Sequence, residues 1–215
     1  MRPHLGPAIC IVLLALLLGG CADTPPTRFY VLSAMSDQAA PAPGKGIAIG
    51  IGPVTLPQYL NRPQIVTRIG GNRLDFAEFD QWGGDLNDNV TRVLAANLSS
   101  LLKTDRVSLY PWKAEAPIDE QVTIDVVSFE QDVDGSSVLT AYWSIVDPKR
   151  GEVKLMRKST FRDSAGTANP VAATQPSARP GDQAQPYDAI VSGMSRNLEA
   201  LSRDIAGAVV GLKGK

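Results

Sequence analysis

The sequence has 215 residues and nearly balanced charge, with 21 Lys and Arg against 22 Asp and Glu and a formal net charge of −1. This length is sufficient for one domain with a hydrophobic core. The balanced charge provides no basic excess for binding nucleic acid or anionic lipid headgroups, and a single histidine, His4, excludes a histidine-rich metal site.

The first 20 residues have the pattern of a secretory signal peptide. Arg2 supplies a positive charge, residues 7–18 are mostly apolar, and small residues at 19 and 20 precede Cys21. The apolar run is shorter than the roughly 20 residues that a spanning helix needs. Small residues directly before a cysteine resemble a bacterial lipobox, which predicts cleavage before Cys21 and attachment of diacylglyceryl and N-acyl groups to it. The alternative is a secreted protein in which Cys21 keeps a free thiol.

Cleavage before Cys21 would also remove His4 and Cys10. A mature chain without histidine excludes a Ser-His-Asp triad and a Cys-His dyad, and a zinc site would have only Asp and Glu as ligands. Two short motif matches are incomplete: residues 44–46 lack the Walker spacing, and residues 193–195 lack the second glycine of a nucleophile elbow. The sequence therefore predicts a protein that is not an enzyme and has no metal or cofactor apart from its covalent lipid.

Residues 21–27 form the predicted lipidated tether, and a single domain is predicted over 28–212. At about 3.3–3.6 Å per residue, such a tether spans at most roughly 25 Å. We therefore expect the domain to stay close to the membrane that holds its anchor.

The first half of the domain predicts four strands and one helix. Apolar alternation and turn residues place strands at 28–32, 47–54, 64–68 and 73–79, with a Pro- and Gly-rich loop at 36–46. The helix begins after Asp85, and Asn97 lies on its apolar face. That face has apolar residues at spacings of three and four: Leu86, Val90, Val93, Leu94, Leu98, Leu101 and Leu102.

The second half predicts more strands and a long final helix. Strands are expected at 107–110, 122–130, 138–146 and 153–161, of which the last three form an antiparallel meander. Residues 164–186 lack periodic apolar positions, so a mobile loop is predicted there. The apolar stripe of the helix at 187–212 indicates core packing or, alternatively, a face that docks a partner helix. Together these elements predict an α/β or α+β domain with a mixed sheet.

The connection at 57–68 has an unusual composition, with an aromatic residue, two arginines and two prolines. Proline reduces the entropy lost on binding, and Tyr and Arg often anchor interfaces. This favours Tyr59, Leu60, Arg62 and Arg68 as candidate partner contacts. The alternative is a rigid loop in which Tyr59 and Leu60 cap the core.

This connection and several other motifs resemble the PqiC/YmbA family of ABC-type transport auxiliary lipoproteins. The resemblance covers most of residues 28–206 but not the loops at 36–46 and 164–186. The matching segments are 28–32, 59–68, 76–82, 89–98, 110–112, 194–196 and 201–206.

The resemblance implies a three-layer α/β domain with a mixed sheet and two main helices, without catalytic residues. It further implies a lipid-anchored periplasmic subunit that docks a lipid transport system built on MCE-domain proteins at the outer membrane and supports envelope integrity. The MCE protein is the expected partner, and a homo-oligomer fits this role. Trp82 and Trp112 are secondary contact candidates, and Ala22 after Cys21, where an inner-membrane retention signal would have Asp, favours the outer membrane.

Two other functions are weighed against this one. A lipid carrier would hold an acyl chain in its own apolar cavity of several hundred Å³. An enzyme would use a carboxylate pair, as glycosidases do, but no such pair stands out in the sequence. The transported molecule, the stoichiometry and the type of transporter, Pqi-like or ABC-driven, are left open.

Overall fold

The computed structural model describes residues 26–36, 44, 46–112, 117–164 and 186–213. The predicted signal peptide, Cys21 and tether residues 21–25 lie outside the described residues. So do residues 165–185 of the predicted mobile loop and most of the predicted loop at 36–46.

The described residues form eight strands, which belong to one mixed sheet, and two α-helices. Helix α1 covers Leu86–Leu102 and helix α2 covers Pro186–Lys213. The strands are β1 (Arg28–Tyr30), β2 (Ile49–Thr55), β3 (Gln64–Gly70), β4 (Arg73–Trp82), β5 (Val107–Leu109), β6 (Glu120–Gln131), β7 (Ser137–Asp147) and β8 (Glu152–Asp163).

Strand β6 organises the sheet because it pairs with three other strands. It is antiparallel to β7, and β7 is antiparallel to β8, which forms the predicted meander. It is parallel to β2 along its first half and to β3 at its end, through Thr67 and Gln131. The strand order β1-β4-β3-β6-β2-β5, with β7 and β8 beside β6, places β1 and β8 at opposite ends of the sheet.

Helix α1 begins and ends through local chemistry. The Asp85 carboxylate accepts a hydrogen bond from the Asp88 amide at 3.0 Å, which satisfies a free N–H at the first turn. Lys103 ends the helix in the left-handed conformation, with φ of 52°. The predicted start after Asp85 is confirmed.

The apolar stripes of both helices are buried. α1 and α2 pack against each other, α1 contacts β2 and β5, and α2 contacts β6, β7 and β8. The α2 stripe is almost fully inaccessible to solvent and consists of Ile190, Met194, Leu198, Leu201, Ile205 and Val209. This stripe therefore forms core, as most such stripes do, and is not a free face for a partner helix.

The predicted mixed sheet and two amphipathic helices are confirmed, and the main differences concern strand ends. β4 extends beyond the predicted residue 79 to Trp82, because its last residues pair with β1 through Arg28 and Asp80. That parallel pairing joins residues far apart in the sequence, so alternation within either segment does not indicate it. Among the described residues, neither helix combines the length and the apolar character needed to cross a membrane.

Candidate functional site

The connection between β2 and β3 is a compact turn. Residues Gln58–Leu60 form one 3-10 turn in which the Leu60 amide donates to the Pro57 carbonyl at 2.9 Å. The Arg62 amide then donates to the Leu60 carbonyl at 2.9 Å. Leu60 itself is buried in the core, so this turn is held by packing as well as by hydrogen bonds.

A buried carboxylate ties the same connection to β6. The side chain of Glu130 is only 3% exposed, and it accepts three hydrogen bonds. The Tyr59 hydroxyl donates at 2.8 Å, the Arg68 guanidinium at 2.7 Å and the Phe129 amide at 2.7 Å. A buried charge is tolerated when it is paired and hydrogen-bonded, as here.

Both side chains that face Glu130 keep their protons. Burial, assisted by the hydrogen bond to Glu130, raises the pKa of the Tyr59 hydroxyl well above its usual range. The hydrogen bond to Glu130 raises the pKa of Arg68. Tyr59 therefore remains a donor and Arg68 remains charged at neutral pH. The three side chains Tyr59, Arg68 and Glu130 are called the Glu130 clamp below.

Arg62 lies on the surface of this clamp. Its guanidinium carbon is 3.9 Å from the centre of the Phe76 ring on β4, a cation–π geometry. Its Nε donates to the Tyr59 carbonyl at 2.9 Å. Arg62 is half-buried and Phe76 is exposed, so the pair presents a preorganised charged and aromatic surface.

The six predicted contact residues do not form one patch. Leu60 and Trp82 are buried core residues, and the Trp82 amide donates to the Pro63 carbonyl at 2.7 Å. Trp112 follows β5, which pairs with β2, and its ring packs edge-on against Tyr110 at 5.3 Å. Tyr59, Arg62 and Arg68 thus share one neighbourhood, and their role in binding stays a prediction.

The sequence interpretation missed Glu130 and the contact between Arg62 and Phe76. The signal visible in the sequence was Glu130 itself, a charged residue directly after the apolar Phe129. Its partners, however, come from positions 71 and 62 residues away, and only strand pairing brings them together.

A second ion pair secures β1, the strand next to the tether. The Arg28 guanidinium binds both carboxylate oxygens of Asp80 at 2.7 Å, and the Tyr30 hydroxyl donates to the same carboxylate at 2.7 Å. The hydrogen bonds from Arg28 hold the pKa of Asp80 below its usual value. Burial raises the pKa of Tyr30 to about 12. These contacts attach the first described strand firmly to β4.

Two surface grooves accompany α2. One, of about 470 Å³, lies between β8 and the last turns of the helix, and the other, of about 440 Å³, lies between the helix and the segment after β1. Neither groove is lined by the fully buried stripe residues of the two helices. The part of the chain that the structure describes contains no group of three or more His, Cys, Asp or Glu residues placed to hold a metal ion.

Comparison with solved structures supports the same fold. An uncharacterized protein is 18% identical, with a TM-score of 0.64 over 86% of this chain and 99% of its own. Protein XCC0632 from Xanthomonas campestris, of family DUF330, is 13% identical, with a TM-score of 0.65 over 87% of this chain and 98% of its own. No curated protein matches the sequence.

The family comparison covers most of the domain. The model of the ABC-type transport auxiliary lipoprotein component matches residues 30–206. This range includes the 57–68 connection, both helices up to residue 206 and the complete sheet after the first two residues of β1. The resemblance inferred from the motifs is thereby confirmed. The chain belongs to the family of ABC-type transport auxiliary lipoprotein components, which are accessory parts of transport systems.

Proposed function

We propose that this protein is a non-catalytic lipoprotein subunit that docks an intermembrane lipid transporter at the periplasmic face of the outer membrane. The family match over residues 30–206 carries the proposal, since it assigns an auxiliary role in transport. Cys21 directly after a signal-like segment supplies the anchor, with lipid on its sulfur and its amino group. Docking at this position would support the integrity of the envelope.

The proposed partner is the MCE-domain protein of the same system. A domain held by a short tether cannot cross the periplasm, so a partner rooted in the inner membrane has to reach it. Tyr59, Arg62 and Arg68 form the proposed contact, because the Glu130 clamp fixes the backbone and leaves the Arg62–Phe76 pair at the surface. A preorganised surface loses little entropy on binding. Several copies of the chain around one end of the MCE assembly would fit this arrangement.

The test is affinity purification of the tagged, full-length chain from its own bacterium under mild detergent. Recovery of an MCE-domain protein in a fixed ratio supports the proposal, and its absence under crosslinking conditions contradicts it. Lipid extraction and mass spectrometry of the same preparation test the carrier function. One noncovalent phospholipid per chain would favour a carrier over a docking subunit.

A further inference from the structure

The outward-facing positions of β1 and the residue after it are apolar. Tyr30 and Leu32 point into the core, whereas Phe29 is 67% exposed and Val31 is 58% exposed. Scattered exposed apolar residues are normal on a protein surface. Here, however, two consecutive outward-facing positions of one extended segment are apolar, whereas a half-buried strand usually has polar residues at its outward-facing positions.

The segment is held rigidly in this orientation. Arg28 and Tyr30 bind Asp80 on β4, and the Gly83 amide donates to the Tyr30 carbonyl at 2.8 Å. A Cβ at Gly83 would lie 3.2 Å from a methyl of Val31, so glycine permits this close approach. Phe29 and Val31 are therefore presented by a fixed strand end and not by a mobile terminus.

The position of this segment in the chain indicates what covers it. Phe29 is eight positions after Cys21 in the chain, which allows a separation of at most roughly 29 Å when this segment is fully extended. Of all the described strands, β1 lies nearest in sequence to the proposed lipid anchor. A membrane leaflet that holds acylated Cys21 is thus the surface that these two side chains meet first.

The charges nearby favour apolar contact with lipid over electrostatic attraction. Phe29 and Val31 line the groove of about 440 Å³ beside α2, and its charged residues are one cation and two anions, Arg196, Asp188 and Glu199. Arg196 is paired with Asp163 at 2.7 Å. A surface of this kind has no excess of positive charge for anionic headgroups, whereas aromatic and aliphatic side chains partition well into the interface.

We propose that Phe29 and Val31 insert into the interfacial region of the phospholipid leaflet that carries the anchor, which makes the start of the domain a second membrane contact. The inference rests on the proposed lipid anchor at Cys21. Two contacts restrict the tilt of the domain on the membrane, whereas a tether alone leaves it free to rotate. The insertion fixes which side of the protein faces the partner.

The test uses the full-length lipidated chain in phosphatidylcholine vesicles with brominated acyl chains. Phe29→Trp and, separately, Val31→Trp place an indole at the proposed contact, and the wild-type emission of the three native tryptophans is subtracted. We expect a blue-shifted emission that the brominated lipid quenches by about half or more. The quenching should persist between low salt and about 1 M salt, because the contact is apolar.

The matched control is Met156→Trp on β8. Met156 is 66% exposed, like Phe29, but lies at the opposite end of the sheet, so its indole should show no quenching. Quenching at positions 29 and 31 no greater than in this control overturns the inference. A blue shift that is already present without vesicles also overturns it, because it indicates burial against protein, such as a second copy.

The mass of the peptide that contains Cys21 shows whether a negative result contradicts the lipid anchor or only the insertion of Phe29 and Val31. An unmodified Cys21 contradicts the anchor itself, and the inference falls with it. A fully acylated Cys21 together with an unquenched indole contradicts only the insertion and leaves the anchored docking subunit standing.

Discussion

At the scale of single residues, the 57–68 connection combines a buried clamp with an exposed pair. Glu130 receives Tyr59 and Arg68 in the interior, and Arg62 lies over Phe76 at the surface. Substitution inside the clamp disturbs a desolvated carboxylate, whereas substitution of Arg62 removes the cation–π contact with Phe76 and one hydrogen bond to the Tyr59 carbonyl. The binding and structural roles of these neighbours can therefore be separated by mutation.

Arg62→Glu should weaken binding of the proposed MCE-domain partner by about 1–3 kcal/mol, because it reverses the charge of the proposed anchor. Loss of the cation–π contact with Phe76 and of the hydrogen bond to the Tyr59 carbonyl should lower the free energy of unfolding by only about 1–2 kcal/mol. Binding is measured by titration with the purified partner, and stability by urea denaturation. Arg92→Glu, an exposed charge reversal on α1, is the control and should bind normally. Unfolding of the variant with intact binding in its folded fraction would assign Arg62 a structural role.

Asp80→Asn should reduce the loss of stability in acid. Hydrogen bonds from Arg28 lower the pKa of Asp80 in the folded state, so the carboxylate stabilises the fold above its unfolded pKa of about 4. This contribution is lost as the pH falls through the lower folded pKa. The variant should therefore have a lower melting temperature at pH 7 and a flatter dependence of the melting temperature on pH below about pH 5.

Tyr30→Phe is the control for that comparison. It removes one hydrogen bond to Asp80 but keeps the carboxylate and its ion pair with Arg28. Its melting temperature should keep most of the acid dependence of the wild type. Identical pH profiles for the wild type and Asp80→Asn would show that this carboxylate does not contribute to acid sensitivity.

At the scale of elements, a polar residue inside an apolar stripe connects three segments. Asn97 of α1 is buried, its side-chain oxygen accepts from the Met35 amide at 2.9 Å, and its amide donates to Ser202 of α2 at 3.2 Å. The Ser202 hydroxyl in turn donates to the Leu198 carbonyl at 2.7 Å. This chain of bonds fixes how the two helices and the segment after β1 sit together.

Asn97→Leu should destabilise the domain by about 1–3 kcal/mol despite its apolar side chain, since it leaves the Met35 amide without its acceptor and removes the buried hydrogen bond to Ser202. Urea denaturation of the variant and the wild type measures the difference. Asn89→Ala, at a half-exposed position of the same helix, should change stability far less. An unchanged or higher stability of Asn97→Leu would mean that the apolar gain outweighs the lost hydrogen bonds.

At the scale of the whole molecule, the proposed anchor determines where the folded domain works. Each buried methylene contributes about 0.8 kcal/mol, so two or three acyl chains hold a protein durably on a membrane. The proposed anchor would keep the folded domain, with its ion pairs and packed helices, at that surface.

Cys21→Ser should abolish lipidation and leave the protein uncleaved or released from the membrane. Mass spectrometry and membrane fractionation measure this, and density gradients should place the wild type with outer-membrane markers. Cys10→Ser, a change within the predicted signal peptide, should leave the mature mass unchanged. An unaltered mass and membrane fraction for Cys21→Ser would contradict the anchor, and wild type found with inner-membrane markers would contradict the outer-membrane location.

Much of the fold could be predicted from local patterns. The helix start after Asp85, the stripe of α2 and the meander of β6, β7 and β8 follow from capping, a period near 3.6 and a period of 2. The parallel contacts of β1 with β4 and of β2 with β6 could not be predicted in this way. Each joins distant segments, and alternation within one strand carries no information about its neighbour.

The sequence by itself determined most of the helices and strands and the family, because these depend on residue identity and on short-range spacing. Only the tertiary structure decided which of the candidate residues are exposed. It placed Leu60 and Trp82 in the core and Arg62 at the surface. It also brought Glu130 into contact with Tyr59, 71 residues away in the sequence, and with Arg68, 62 residues away. Strand pairing buries the Glu130 carboxylate at the point where both hydrogen-bond donors reach it, and a buried charge needs such partners.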